Sequence, residues 1–194
     1  MWLLKKMRGV KLGIILLLCT LLAVSSVGSI TKAEVHYLNG YYWPSGPDPL
    51  TYRYYNYLYP LDSISQATQD AFTMATYYWN IASGTPVDFD YTTGSADIYC
   101  FEEENENTGA SGRWVAYQPY GYELITAFAI MNTHKTAGYS SEKRISVGGH
   151  ELGHCLGLAH HFGTLMTEDD EYRYDIFGLY YPHSVDIDEL NYLY

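Results

Sequence analysis

From Leu50 onward, apolar side chains recur in two rhythms, every second residue or every third to fourth. Leu50 to Tyr57, dominated by Tyr, Thr and Leu, reads as a first strand. Ser63-x-x-Gln66 has the form of a capping box and opens a helix to about Trp79. Its apolar stripe of Ile64, Ala67, Ala71, Met74, Ala75 and Tyr78 has the spacing of a helix face turned to a core. Gly84 and Pro86 end the connection that follows. Val87 to Tyr91 and Ala96 to Phe101 read as strands separated by Thr-Thr-Gly-Ser. Arg113 to Tyr117 and Leu124 to Met131 read as two more, split by a Pro119-Tyr120-Gly121 turn. Lys143 to Leu156 is helical although it contains Gly148, Gly149 and Gly153, each costing about 1 kcal/mol relative to Ala in a helix. Glycines kept at that cost imply close packing against the sheet or the lead-in segment. Ser184 starts a last helix, where Asp186 and Asp188 suit the dipole and Ile187, Leu190 and Tyr194 form a packing stripe. The strand–helix–strand beginning implies a largely parallel sheet with a helical crossover.

The N-terminus has a different pattern. Lys5, Lys6, Arg8 and Lys11 precede an apolar run from Leu12 to Val24, which reads as the n- and h-regions of a signal peptide. Thr31-Lys32-Ala33 places cleavage after Ala33, with a site near Ser26 and an uncleaved anchor as alternatives. Residues 1–33 are thus a signal segment and 34–194 a single domain, opened by a Tyr-, Gly- and Pro-rich lead-in over 34–49. Five of the eleven basic residues and none of the 22 acidic ones precede Glu34, so the mature chain carries a net charge of −16. That charge disfavours nucleic acid and anionic membrane surfaces as partners. Cys100 and Cys155 remain after cleavage, and in an oxidising exterior they either pair or sit as two separate buried thiols. Cys155 lies about 100° round the helix from His154 and so faces the sheet.

The candidate chemistry is concentrated in His150-Glu151-Leu152-Gly153-His154-Cys155-Leu156-Gly157-Leu158-Ala159-His160. Histidines four apart on a helix share a face and can reach one ion. Gly157 lets the chain leave the helix with positive φ, and the turn brings His160 up as a third ligand. Three protein ligands leave a fourth tetrahedral position open, which is the catalytic rather than the structural pattern for zinc. Glu151, beside the first ligand, is placed to act as general base for a zinc-activated water. His161 is the alternative third ligand, and the spacing favours His160. The acidic stretches Glu102 to Gly112 and Glu168 to Glu171 lack the alternating ligand spacing of a calcium site and read as solvated loops; Ca2+ is possible in principle but not supported.

The motif His150-Glu151-x-x-His154-x-x-Gly157-x-x-His160, followed by Met166, resembles the metzincin metallopeptidases. Leu50-Thr51-Tyr52-Arg53, Gly94-Ser95-Ala96-Asp97-Ile98 and the closing Asp186 to Tyr194 resemble the matrixin-like branch (peptidase M10 type). The resemblance implies a zincin-like α+β or α/β fold: a twisted, mostly parallel five-stranded sheet with one antiparallel edge strand, an active-site helix, and a small C-terminal subdomain with a final helix. It implies one catalytic Zn2+ on His150, His154 and His160, with Glu151 catalytic and Met166 as the Met-turn residue beneath the metal. Arg113, Trp114, Val115, Ala116 and Tyr117 are implied as the edge strand to which an extended protein or peptide substrate adds. The implied protein is a secreted, monomeric zinc endopeptidase, extracellular or associated with the cell surface, with no stable membrane attachment after signal cleavage.

Three departures from the family stand out. No cysteine between Ala33 and Leu50 can cap the zinc as a matrixin propeptide does. His134 is the sole histidine between residues 100 and 149, which implies a single zinc. His161 after the third ligand matches none of the residues that mark the named branches, and Glu168 stands where astacins and serralysins place a tyrosine ligand. His36 and His183 read as surface residues. Two other classes compete: a secreted binding protein that keeps the zinc fold without turnover, and a tyrosine-rich wall or adhesion component with an accidental motif.

Overall fold

A computed structural model describes residues 36–55, 64–117 and 121–194. The expected signal segment, Ser63, the end of the first expected strand and most of the Pro119-Tyr120-Gly121 turn lie outside the described residues. Among the described residues, no helix is long and apolar enough to cross a membrane.

Five strands form one mixed sheet: β1 Leu50–Tyr54, β2 Phe89–Tyr91, β3 Ile98–Glu103, β4 Gly112–Tyr117 and β5 Thr126–Asn132. Their order is β2-β1-β3-β5-β4. The β1/β2, β1/β3 and β3/β5 pairs are parallel, and β4 runs antiparallel to β5 at the sheet's edge. Ile98, Cys100, Ala127 and Ala129 are fully buried at its centre. The strand–helix–strand expectation therefore holds, with strand ends displaced by one to three residues.

Helix α1, Gln66–Ile81, crosses from β1 to β2. Its cap is Ser65 rather than Ser63, with Ser65 Oγ accepting from Thr68 N. The Glu102 carboxylate fixes that choice by accepting from Ser65 N at 3.0 Å and Ser65 Oγ at 2.6 Å. The buried face is Thr68, Ala71, Phe72, Ala75, Thr76 and Trp79, so Ala67 is exposed and the expected stripe is rotated. Phe72 and Trp79 bury more apolar area than Met74 and Tyr78 would, and they set the face.

Short helix α2, Thr133–Thr136, leads to α3, Ser141–Cys155, which packs on α1. The α3 glycines allow this approach. A methyl carbon on Gly148 would lie 3.3 Å from the Phe72 ring, and one on Gly149 would lie 3.1 Å from Leu165. Trp79 Nε1 donates to Gly149 O across the same interface. Beyond α3 come a π-helical turn, Glu171–Ile176, and a last helix, α4 Ser184–Leu193, on which Ile187 and Leu190 are buried. Cys100 and Cys155 are both buried free thiols, so of the two sequence alternatives the separate thiols are found. His36 is not a free surface residue: its Nδ1 lies 3.1 Å from Glu189 Oε2 and its ring stacks on Tyr192. His183 is exposed and precedes α4, where its N–H donates to Asp186.

Candidate metal centre

His150, Glu151 and His154 lie on α3 with at most 6 % of their surface exposed. Gly157 ends the helix at φ +103. Its carbonyl accepts from Asn39 N at 2.9 Å, while Asn39 Nδ2 donates to the carbonyls of His154 and Leu158. The lead-in segment thus pins the turn that carries His160. The ring nitrogens of His150, His154 and His160 offer one atom each within 4.8 Å of one another, the arrangement a metal ion requires.

The tautomers follow from the partners. His150 Nδ1 lies 2.9 Å from Leu165 O, and His154 Nδ1 lies 2.8 Å from Leu158 O. A carbonyl only accepts, so each Nδ1 carries the proton and each Nε2 presents a lone pair. Those two Nε2 atoms are 3.2 Å apart. Two lone pairs at that distance repel unless a cation lies between them. Two nitrogens on one tetrahedral ion at about 2.05 Å would be about 3.3 Å apart, so the spacing fits a shared metal. The carbonyl partners also fix the ring orientations, as outer-shell acceptors do for metal-ligating histidines. His160, exposed, completes the set, with Nδ1 3.7 Å from the carboxylate of Glu168. His161 turns elsewhere: its ring stacks on Tyr37 at 4.0 Å.

Burial holds His150 well below the ordinary histidine value and lowers His154 to about 4, so both rings are neutral at pH 7. Burial pushes the Glu151 carboxyl up to about 8, against the opposing pull of the Arg173 and Arg113 guanidinium groups. In the metal-free protein these shifts have opposite signs. Below pH 6.5 the unfolded histidines hold protons that the buried ones lack, so their contribution to stability rises with pH up to 6.5. Folded Glu151 holds a proton that the unfolded chain has lost, so its contribution falls from pH 4.5 to 8. Above 6.5 Glu151 alone among these groups is still titrating. Urea unfolding of the metal-free chain should therefore show a loss of about 2 kcal/mol between pH 6.5 and 8. Glu151→Gln should abolish that slope; an equal slope in both proteins would contradict the assignment.

Glu151 is held against the start of β4. A methyl carbon on Gly112 would fall 2.6 Å from Glu151 Oε1, so a larger residue there would have to push the Glu151 side chain aside. Trp114 stacks on His154 with ring centres 5.8 Å apart. Met166 is 1 % exposed and its Sδ rests on Gly153, where a methyl group would clash. Leu165 N, one residue before, donates to the buried carboxylate of Asp186, which also accepts from His183 N. Asp186 thus ties α4 to the segment beneath the histidines, a larger role than its place in a first helical turn implies.

A cavity of about 650 Å3 opens over the histidines. Gly109 to Trp114 line one side and Glu168, Asp169, Asp170 and Arg173 another. Of the expected edge-strand set, Arg113 and Trp114 line it, while Val115, Ala116 and Tyr117 continue the strand beyond. The two carboxylates of β3 are engaged: Glu102 accepts from Ser65 and Thr68, and Glu103 binds Arg113 through both oxygens. Sequence reasoning did not single out Gly112, Asn39 or Arg173. Arg173 is 1 % exposed, with Nε donating to Ser146 Oγ at 2.9 Å and Nη1 to Thr167 O at 2.6 Å. No family model matches the chain, and no curated protein is significantly similar to it.

Proposed function

We propose that the chain is a secreted zinc-dependent endopeptidase with a metzincin fold of the matrixin-like kind. The observation that carries the reading is the pair of Nε2 lone pairs 3.2 Å apart, with His160 beside them and Glu151 on the next residue of the helix. The mixed sheet with one antiparallel edge strand above the cavity supports it. Three imidazole nitrogens suit zinc better than a hard cation that seeks oxygen ligands. A zinc ion held there would polarise the scissile carbonyl and lower the pKa of a water toward 7.

The remaining work falls to the chain's own groups. The outer edge of β4 has no partner strand among the described residues, so its backbone N–H and C=O groups can pair with an extended peptide. Backbone pairing holds the substrate independently of most of its sequence. Glu151 accepts the proton of the attacking water as the new C–O bond forms at the scissile carbon. It then delivers that proton to the departing amine as the C–N bond breaks, giving a carboxylate and an amine. Gly112 and the helix hold the carboxylate in place for both transfers. Hydrolysis of an unfolded protein by the purified 34–194 chain, beside its Glu151→Ala variant, tests the reading. Cleavage by the wild type alone supports it, and absence of cleavage by the wild type contradicts it.

A further inference from the structure

Arg173 is a buried cation whose carboxylate neighbours, the buried Glu151 first and then Asp170, act on it at longer range than an ion pair. Among the described residues no carboxylate forms an ion pair with it. A guanidinium has five N–H donors. Nε goes to Ser146 Oγ and Nη1 to the carbonyls of Thr167 and Glu168, at 2.9, 2.6 and 3.5 Å. Nη2 has no protein acceptor among the described residues. A guanidinium nitrogen left in that state can donate to an acceptor brought by a ligand.

The side chain lines the cavity while only 1 % exposed, which places it at the cavity's base rather than its rim. The nearby acids are otherwise committed. Asp169 Oδ1 accepts from Glu171 N and Tyr172 N, and Asp170 Oδ2 accepts from Tyr139 Oη. The Glu168 side chain is 81 % exposed. The other cation of the cavity, Arg113, is held by Glu103. Arg173 is therefore the buried, fixed guanidinium of the cavity with a donor left for a ligand, whereas Arg113 is neutralised by Glu103 and half exposed.

We propose that Arg173 is a specificity-determining residue: its guanidinium forms the base of a subsite that takes the carboxylate side chain, Glu or Asp, of a substrate residue flanking the scissile bond. The proposal rests on the endopeptidase reading. A planar guanidinium matches a carboxylate and gains strength where water is excluded. The net charge, −11 for the full sequence and −16 over residues 34–194, opposes the approach of acidic peptides at long range, so the preference arises from contact and not from steering.

The test uses a peptide mixture randomised at the two positions flanking the cleaved bond. The wild type should enrich Glu or Asp at one of them by about tenfold or more, the scale of a hydrogen bond to a charged group. Arg173→Gln should lose that enrichment, and Arg173→Lys, which keeps the charge, should retain part of it. Apolar enrichment at both positions by the wild type, or an unchanged acidic preference in Arg173→Gln, would overturn the proposal. The Lys variant and the wild-type profile decide the matter if the Gln variant does not fold. A binding readout stands apart from turnover: Glu151→Ala protein should bind a Glu-containing peptide about tenfold more tightly than its Gln counterpart. Equal Kd values would overturn the acidic subsite even where cleavage is seen. Absence of any cleavage, with the Kd difference present, would strike the endopeptidase reading and leave the subsite standing.

Discussion

Glu151→Ala is expected to lower kcat for peptide hydrolysis by about 10^3-fold or more while leaving the metal content unchanged. General-base groups contribute about 10^2 to 10^4 in rate, and no other carboxylate is placed to substitute. Glu168, another carboxylate lining the cavity, has its side chain 81 % exposed. The metal should remain because the three nitrogens that hold it come from His150, His154 and His160. Nor should the fold be lost. The wild-type carboxyl is buried at 4 % exposure with its pKa pushed up to about 8, so at pH 8 its removal takes away a charge that burial disfavours. Steady-state kinetics beside metal analysis would check this. A variant with unchanged kcat would mean that Glu151 carries no proton in the reaction. A variant that lost its metal would mean that the carboxylate is a ligand.

Gly157→Ala is the second large effect expected. Gly157 has φ +103, which side chains rarely adopt, and its hydrogen faces the lead-in segment. A methyl carbon there would lie 2.5 Å from Tyr41 O and 2.6 Å from Leu193 Cδ2. Tyr41 O is backbone, so it cannot swing aside as a flexible side-chain tip does. Strain and overpacking together should cost about 3 to 5 kcal/mol. The turn also sets where His160 stands, so zinc affinity should fall by about 100-fold, the upper range for disturbed outer-shell support. Urea unfolding of the metal-free chain and zinc competition against a chromophoric chelator measure the two effects separately. Loss of stability with unchanged affinity would show that the turn supports the fold without positioning His160.

The cluster of three histidines was legible because its geometry is local. His150, His154 and Glu151 share one helix, and a single glycine turn brings His160 up. Arg113 to Tyr117 likewise read as a strand, with its edge position implied by the resemblance, and the structure places it antiparallel to β5 at the sheet's edge. Long-range contacts were not legible. The α1 face was displaced because Ala67 and Met74 are apolar in the sequence, whereas Phe72 and Trp79 decide which side meets α3. The cap moved to Ser65 because Glu102, on another strand, binds it. Gly112 looks like an ordinary loop glycine until Glu151 is seen against it, and Arg173 looks like a surface residue of an acidic segment until the cavity is traced to it. The glycines of α3 were the one long-range signal the sequence carried, since their cost in a helix pointed to the close packing found at Phe72, Leu165 and Met166.

The central claim is that His150, His154 and His160 hold one zinc ion. Elemental analysis of the purified 34–194 chain, dialysed against metal-free buffer, tests it most directly. The account predicts about one zinc per chain, and loss of that zinc in His154→Ala. A wild-type chain that is folded by circular dichroism and takes up no zinc when the ion is added in excess would contradict it.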